Sequence, residues 1–495
     1  MGNAQKKAWS RRLPFCVTLL LLLSSFTYLF RPFWFDEVLT LDNFVMRPPL
    51  SRIYFLYEIP NNHIVFSMLE KVWIDFLALF LNTPFFLFRG LSVLAGALAV
   101  FLLTKRMVRS CGLYGGGLLC AAFAASSACA IFATGVRGYM LGFLFTVLAL
   151  LFAEKIVARP PLPGFLGFFL ICLLSVGTTP TNLAALEAVA LFHASFLWKR
   201  KRRLPSLLYL FAAPALALVF FYAPIHGKFL RCLQLGEGWF SEGSAVWNLY
   251  ASFALILLGS LPFCIAGHMI VCPLQSGQIQ NHRIRCCPFC FNMHFFLLFL
   301  LPLPAFFVFK APAFPRVFFP LFPIWLLAAG YAFCAYLKMV KRSPALKTLP
   351  LILQVLCTAL LVNTGSYASD ALFGSGRHDD ITLPYYARNS FEPQKIVSLI
   401  QEKFKSGEHP LVFASFDSDY PSVLFCVSCT DLPENTVITD LPNRPRIRDL
   451  DFHTGKYYLI TSGKNDLEQT MRRFGFTVAE PVWAGPFQRL DHVAK

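Results

Sequence analysis

Eleven stretches of this chain are apolar and near the length that crosses a bilayer, and that repetition limits the fold more than any other feature. A helix needs about 20 apolar residues to span the hydrocarbon core. Inside that core every backbone polar group must be satisfied by the segment itself or its neighbours. The runs are 13–30, 86–104, 112–133, 139–156, 164–179, 182–198, 205–224, 247–270, 291–309, 317–337 and 346–365. Only 14% of the residues are charged, against roughly 25% in soluble domains, and the mean hydropathy is +0.57. The chain therefore reads as an α-helical, multi-pass membrane protein of about eleven transmembrane helices.

The formal net charge of +17 would suggest nucleic acid in a soluble protein. Here the cations sit in short clusters between apolar runs, which is the pattern that sets topology. The clusters are Lys6 to Arg12, Lys105-Arg106 with Arg109, Lys155 with Arg159, Lys199 to Arg203, Arg283 with Arg285, and Lys338 to Arg342. With eleven spans and a cytoplasmic N-terminus, all of them fall on the cytoplasmic side. No small-residue cleavage site precedes Arg31-Pro32, so the first run reads as a retained signal anchor in the cell (inner) membrane. The loop 271–290 carries a single well-spaced cysteine pair, Cys287 and Cys290, near His282. A strong zinc signature needs two such pairs.

The opposite, extracytoplasmic face collects Asp36, Glu37, Glu58, His63, Arg137, Lys310 and Arg316. Its first loop, 31–85, is long, and loops of more than about 15 residues in compact proteins are usually functional or carry their own structure. Residues 64–82 are apolar but interrupted by Glu70, Lys71 and Asp75. The spacing predicts a helix lying in the interface, with those three charges on one face. After residue 365 polar and turn residues return. Val412–Phe416, Thr436–Thr439 and Lys456–Thr461 read as strands; Ser390–Lys405 and Asn465–Phe474 read as amphipathic helices. Alternating elements of that kind predict a small α/β layer. The chain thus divides into a transmembrane domain, 1–365, and a soluble extracytoplasmic α/β domain, 366–495.

Asp36 and Glu37 stand directly after the first run, between aromatic residues and a leucine-rich stretch. Ionised groups at that depth face protein or a water-filled cavity rather than lipid. The plainer reading is an acidic cap on a loop. Arg137, Lys310 and Arg316, at span ends, have a plain reading too, since long cations snorkel there. A single histidine such as His63 is commonly structural, and Tyr139 fits an interfacial aromatic.

Five stretches in order carry a resemblance. They are Trp34-Phe35-Asp36-Glu37, Pro60-Asn61-Asn62-His63, Arg89-Gly90-Leu91-Ser92, Arg137-Gly138-Tyr139-Met140-Leu141, and Pro315-Arg316 running on to Pro320 and Pro323. Over roughly residues 10–340 the chain resembles the GT-C superfamily of membrane glycosyltransferases. Within it the chain is similar to the protein O-mannosyltransferase and lipid A aminoarabinose transferase group, which takes sugar from a polyprenyl phosphate. Two positions depart from the pattern. Relatives often have Thr-His-Pro where this chain has Thr178-Thr179-Pro180, and His63 is followed by Ile64-Val65 rather than Pro-Pro.

The resemblance implies an inverting glycosyltransferase of the cell envelope. It implies Asp36 as base with Glu37 beside it. Arg137 and Arg316, in the matched stretches, and Lys310, outside them, are candidates for the cations that meet the donor phosphate, because a guanidinium fork matches phosphate oxygens and an ammonium acts as a point charge. His63, Asn62 and Tyr139 would bind or orient substrate. Glu37 and His63 leave a divalent metal open as a cofactor. The partners expected are a polyprenyl-phosphate-linked sugar, an acceptor that is lipid, glycan or protein, and the membrane, with no nucleic acid. A catalytically silent scaffold of the same descent, or a transporter, would share the composition. A transporter would favour mid-span charges and repeated halves, and the notable charges here gather at one face instead.

Overall fold

The computed structural model describes residues 3–30, most of 33–237, short pieces of 319–330, and most of 392–494. The predicted spans 247–270, 291–309 and 346–365, most of 317–337, the 271–290 loop, Glu58, Lys310 and Arg316 lie outside the described residues. By compactness the chain separates into two units. One is Met1–Phe30, Phe44–Leu372 and His378–Thr382; the other is Arg31–Asn43, Phe373–Arg377 and Leu383–Lys495.

The first twelve described helices run α1 (Asn3–Leu29), α2 (Phe35–Leu39), α3 (Leu50–Ile53), α4 (Ile64–Ala78), α5 (Gly90–Gly112), α6 (Leu118–Ala124), α7 (Ser127–Thr134), α8 (Tyr139–Ala158), α9 (Leu162–Thr178), α10 (Asn182–Leu197), α11 (Arg203–Tyr222) and α12 (His226–Glu237). Among the described residues three stretches are long and apolar enough to cross a membrane: Phe86–Gly112, Tyr139–Val157 and Leu204–Cys232. Pro163–Thr178 and Asn182–Ala194 are shorter apolar helices. The 112–133 run, one span by sequence, is instead the two short helices α6 and α7.

α5 and α8 run parallel and are tied at both ends. At the start, Arg89 and Ser92 reach the Thr134–Gly135 carbonyls that lead into α8. At the far end, Arg106 pairs with Glu154. Beside these ties, α6, α7 and α8 share an aromatic cluster with Phe319. Phe123 stacks on Phe143 at 5.3 Å and 8°, and Phe319 lies 4.2 Å from Phe132 and 5.3 Å from Phe143. Offset and edge contacts of this kind add to simple area burial.

α4 corrects one expectation. Lys71 and Asp75 do form the i,i+4 pair, at 3.2 Å. Glu70 does not share their face; it is fully buried. One residue of helix rotates a side chain by about 100°, which turns Glu70 inward. Neither of its carboxylate oxygens has a hydrogen-bond partner among the described residues. Burial holds its carboxyl well above the ordinary value. Leu69, Val72, Phe76, Leu79 and Phe80 stay exposed, the apolar outward face that an interfacial helix needs.

The second unit contains α2, then α13 (Pro393–Lys405), β1 (Leu411–Ala414), α14 (Tyr420–Ser428), β2 (Val437–Thr439), β3 (Tyr457–Thr461), α15 (Lys464–Phe474), β4 (Val478–Ala484) and β5 (Arg489–Ala494). The sheet order is β2-β1-β3-β5-β4; β2, β1 and β3 are parallel, and β5 is antiparallel to both β3 and β4. Side chains alternate across the sheet. Val412 and Ala414 face Ile396, Ile400, Val423 and Val427, while Phe413 and Leu459 face Leu467 and Phe476. The three expected strands and two expected helices are present. The β4–β5 hairpin and α14 were not evident in the sequence: Pro481 interrupts β4, and Asp491 is a fully buried carboxylate on β5. Arg489 donates to both Asp491 oxygens, at 2.7 and 2.5 Å, which satisfies that burial.

The 31–85 loop is not one element. Its first part groups with the second unit. Phe33 packs edge-on against Phe425 of α14 at 5.7 Å, and Ser422 Oγ donates to the Phe33 carbonyl at 3.0 Å.

Candidate functional site

In the first unit the Arg137-Gly138-Tyr139 turn sits between α7 and α8, and all three residues are buried. Two anchors set its position. Arg89 is wholly buried, and its Nη1 donates to the Thr134 carbonyl at 2.6 Å. Ser92 Oγ donates to the Gly135 carbonyl at 2.5 Å. A buried guanidinium is costly unless its donors are used, so Arg89 ties the turn to the start of α5. The Arg137 guanidinium lies 5.8 Å from the centre of the Tyr139 ring, within the range of a cation–π contact.

His63 reaches the same turn from the start of α4. Its Nδ1 accepts from the Gly138 amide at 3.2 Å and lies 3.3 Å from Thr179 Oγ1. Its ring stands edge-on to Tyr139 at 5.0 Å and 83°. Tyr139 therefore carries His63 and Arg137 on one ring. A Cβ on residue 138 would come within 2.5 Å of both His63 Nδ1 and Thr178 Cγ2. Only glycine allows that approach.

Asn62 is held within its own loop. Its Nδ2 donates to the Leu56 carbonyl at 2.6 Å, and its Oδ1 accepts from Ser67 Oγ at 3.0 Å. Those bonds fix the entry into α4 and so the direction of His63. In the second unit, Asp36 and Glu37 open α2 and are 7% and 0% exposed, and Thr40 Oγ1 donates to the Asp36 carbonyl at 2.9 Å. An acidic first turn is favoured by the helix dipole. Lys310 and Arg316 lie outside the described residues.

A divalent metal does not fit His63. A neutral imidazole offers one lone pair, and Gly138 takes it at Nδ1. Ligation through Nε2 would place a proton on Nδ1, against an amide that can only donate. Among the described residues no group of three or more His, Cys, Asp or Glu side chains could hold a metal ion.

Sequence reasoning placed His63, Arg137 and Tyr139 on one face, and the structure gathers them. It did not assign work to Arg89, Gly138 or Thr179. Arg89 and Gly138 each carried a signal: an arginine opening an apolar helix, and a glycine beside a buried arginine.

No family model and no curated protein matches the sequence. Solved structures do match. ArnT from Cupriavidus metallidurans in the apo state aligns with a TM-score of 0.53 and 11% identity, over 98% of this chain and 98% of that one. The same protein bound to undecaprenyl phosphate aligns at 0.51 and 10%, with the same coverage. The chain thus shares the fold of that protein, mostly helical with apolar helices and a small sheet.

Proposed function

We propose that this chain is a membrane glycosyltransferase that moves a sugar from a polyprenyl-phosphate donor to an extracytoplasmic lipid, glycan or protein acceptor. The observation that carries this reading is the buried pairing of Arg137 and His63 on Tyr139. It occurs in a fold shared with a protein captured with undecaprenyl phosphate.

In the proposed reaction Asp36, with Glu37 beside it, takes the proton of the acceptor hydroxyl. The acceptor oxygen bonds to the anomeric carbon as the bond from that carbon to the phosphate oxygen breaks. The phosphate leaves with its electron pair, and the product has inverted configuration. Arg137, Arg316 and Lys310 meet the charge that develops on it. Fixed cations aimed at developing charge are commonly the largest catalytic contribution, and guanidinium matches phosphate oxygens in pairs. Tyr139, His63 and, through its hold on His63, Asn62 orient the substrate. The proposed topology has eleven spans in residues 1–365, a cytoplasmic N-terminus and an extracytoplasmic domain at 366–495.

The test is to incubate the purified full-length protein with a panel of polyprenyl-phosphate sugars and follow the donor by mass spectrometry. Consumption of one donor, with release of polyprenyl phosphate, supports the reading. Survival of every donor in the presence of membrane extract as acceptor counts for the silent-scaffold alternative. Threonine at position 179, where relatives often carry histidine, is the residue that favours that alternative.

A further inference from the structure

We propose that α14 of the C-terminal α/β domain aims the base. Through Ser422 and Phe425 it holds the backbone that enters α2, and so sets the direction of the Asp36 carboxylate. The role of Asp36 as base rests on the glycosyltransferase reading; the hold on α2 does not.

α2 has only five residues, Phe35–Leu39, and runs directly into a π-helical stretch, Thr40–Met46. A helix that short is not stable by itself, and π-helical turns are rare and occur mostly at functional sites. The orientation of α2 therefore comes from what it packs against. A helical side chain leaves in a direction set by its backbone, so the entry into α2 decides where Asp36 points. α14 grips that entry at two points. Ser422 Oγ donates to the Phe33 carbonyl at 3.0 Å, and the Phe425 ring stands edge-on to the Phe33 ring at 5.7 Å and 82°. All three residues are buried. Residues three apart share a helix face, so Ser422 and Phe425 act on Phe33 together, one on its backbone and one on its side chain. A neighbouring face of α14 is sunk in the domain core: Val423, Cys426 and Val427 pack with Val412 and Ala414 of β1 and with Ile396 and Ile400 of α13. α14 is thus a bracket between the sheet and the acidic segment. A misplacement of about 1 Å at a reacting group can cost about 100-fold in rate, which a two-point hold prevents. Ser422 and Phe425 are then positioning residues for Asp36, supplied from 389 residues further along the chain.

The experiment uses the full-length protein in lipid and has two arms. Hydrogen exchange reads the backbone amides of residues 36–43. Phe425→Ala should speed exchange there by about tenfold or more, and Ser422→Ala by about three- to tenfold. Leu467→Ala is the control, because it thins the core on the other face of the sheet, beside Phe413 and Phe476. It should lower the melting temperature at least as much and leave exchange at 36–43 unchanged. The second arm follows consumption of the polyprenyl-phosphate sugar that the wild-type protein accepts. Phe425→Ala should lower kcat by about 10- to 100-fold and Ser422→Ala by about three- to tenfold, each with the donor KM within about twofold of wild type. Phe425→Leu, which keeps an apolar contact on Phe33, should recover most of the loss. Leu467→Ala should keep kcat within about twofold. Unchanged exchange in Phe425→Ala, or a fall in kcat shared equally by Leu467→Ala, overturns the positioning role. If the wild-type protein consumes no donor, the glycosyltransferase reading and the role of Asp36 as base fall together, and the exchange arm still decides whether α14 holds α2.

Discussion

Arg89 and Thr134 are joined by a buried hydrogen bond, guanidinium Nη1 to backbone carbonyl, at 2.6 Å and across 45 residues of sequence. That bond holds the end of α7 against the start of α5, so it fixes where the Arg137 turn begins. Replacing Arg89 by methionine leaves the carbonyl without its charged donor. The expected loss is about 1.5–3 kcal/mol. Arg89→Lys should recover only part of it, because a point charge on a flexible stem does not reproduce the planar fork. Thermal unfolding of the purified protein in detergent measures both variants; a wild-type melting temperature for Arg89→Met would remove the anchor from the account.

Gly90 makes a different contact with the same region. A Cβ there would lie 2.6 Å from the Trp73 ring, whose Nε1 donates to the Leu87 carbonyl at 2.9 Å. Gly90→Ala should push the indole off that carbonyl and cost about 1–3 kcal/mol, as overpacking does. Tryptophan fluorescence should shift with it, and Trp73→Phe should reduce the penalty. An alanine variant as stable as wild type, with unchanged fluorescence, refutes the contact.

Glu70 predicts a pH dependence. Burial raises its folded pKa well above the ordinary carboxylate value. The folded protein therefore holds this proton where the unfolded chain has released it. The stability associated with Glu70 is full below the unfolded pKa. It falls by about 1.4 kcal/mol per pH unit as pH rises toward the folded pKa. Glu70→Gln removes that slope. The variant should gain stability over wild type steadily above pH of about 4.5 and show no such gain below it. Parallel unfolding profiles for the two proteins would place the Glu70 carboxyl in water.

Asp36 and Arg137 are the activity tests. Asp36→Asn keeps size and loses the base, and should abolish donor consumption while the melting temperature stays near wild type. Arg137→Lys keeps the charge and loses the fork, and should lower kcat by about 100-fold or more with a smaller change in KM. Full activity in either variant would reassign that residue to structure.

Much of the fold was legible because hydrophobicity acts locally. The long apolar runs named α1, α5, α8 and α11, and β-branched and aromatic runs named β1, β2 and β3. Glu70 shows where this stops. Charge spacing predicted a shared face with Lys71 and Asp75, yet the helix turned Glu70 into the protein. The 112–133 run reads as one span and instead holds two short helices, α6 and α7, because mean hydropathy does not report where a helix is interrupted. In the hairpin of β4 and β5, Asp491 disguised a buried strand until its partner Arg489 was known.

By itself the sequence determined that the chain needs an apolar medium, where α1, α5, α8 and α11 lie, and that Tyr139 opens one of them. Those follow from side-chain transfer energies and period, which each segment carries alone. Only the tertiary structure decided that His63 meets Gly138 and Thr179, at separations of 75 and 116 residues. Likewise it alone attached Phe33, three residues before Asp36, to Phe425 of α14. Contacts between distant segments depend on how helices pack and which way each side chain leaves its backbone, and no local pattern encodes that.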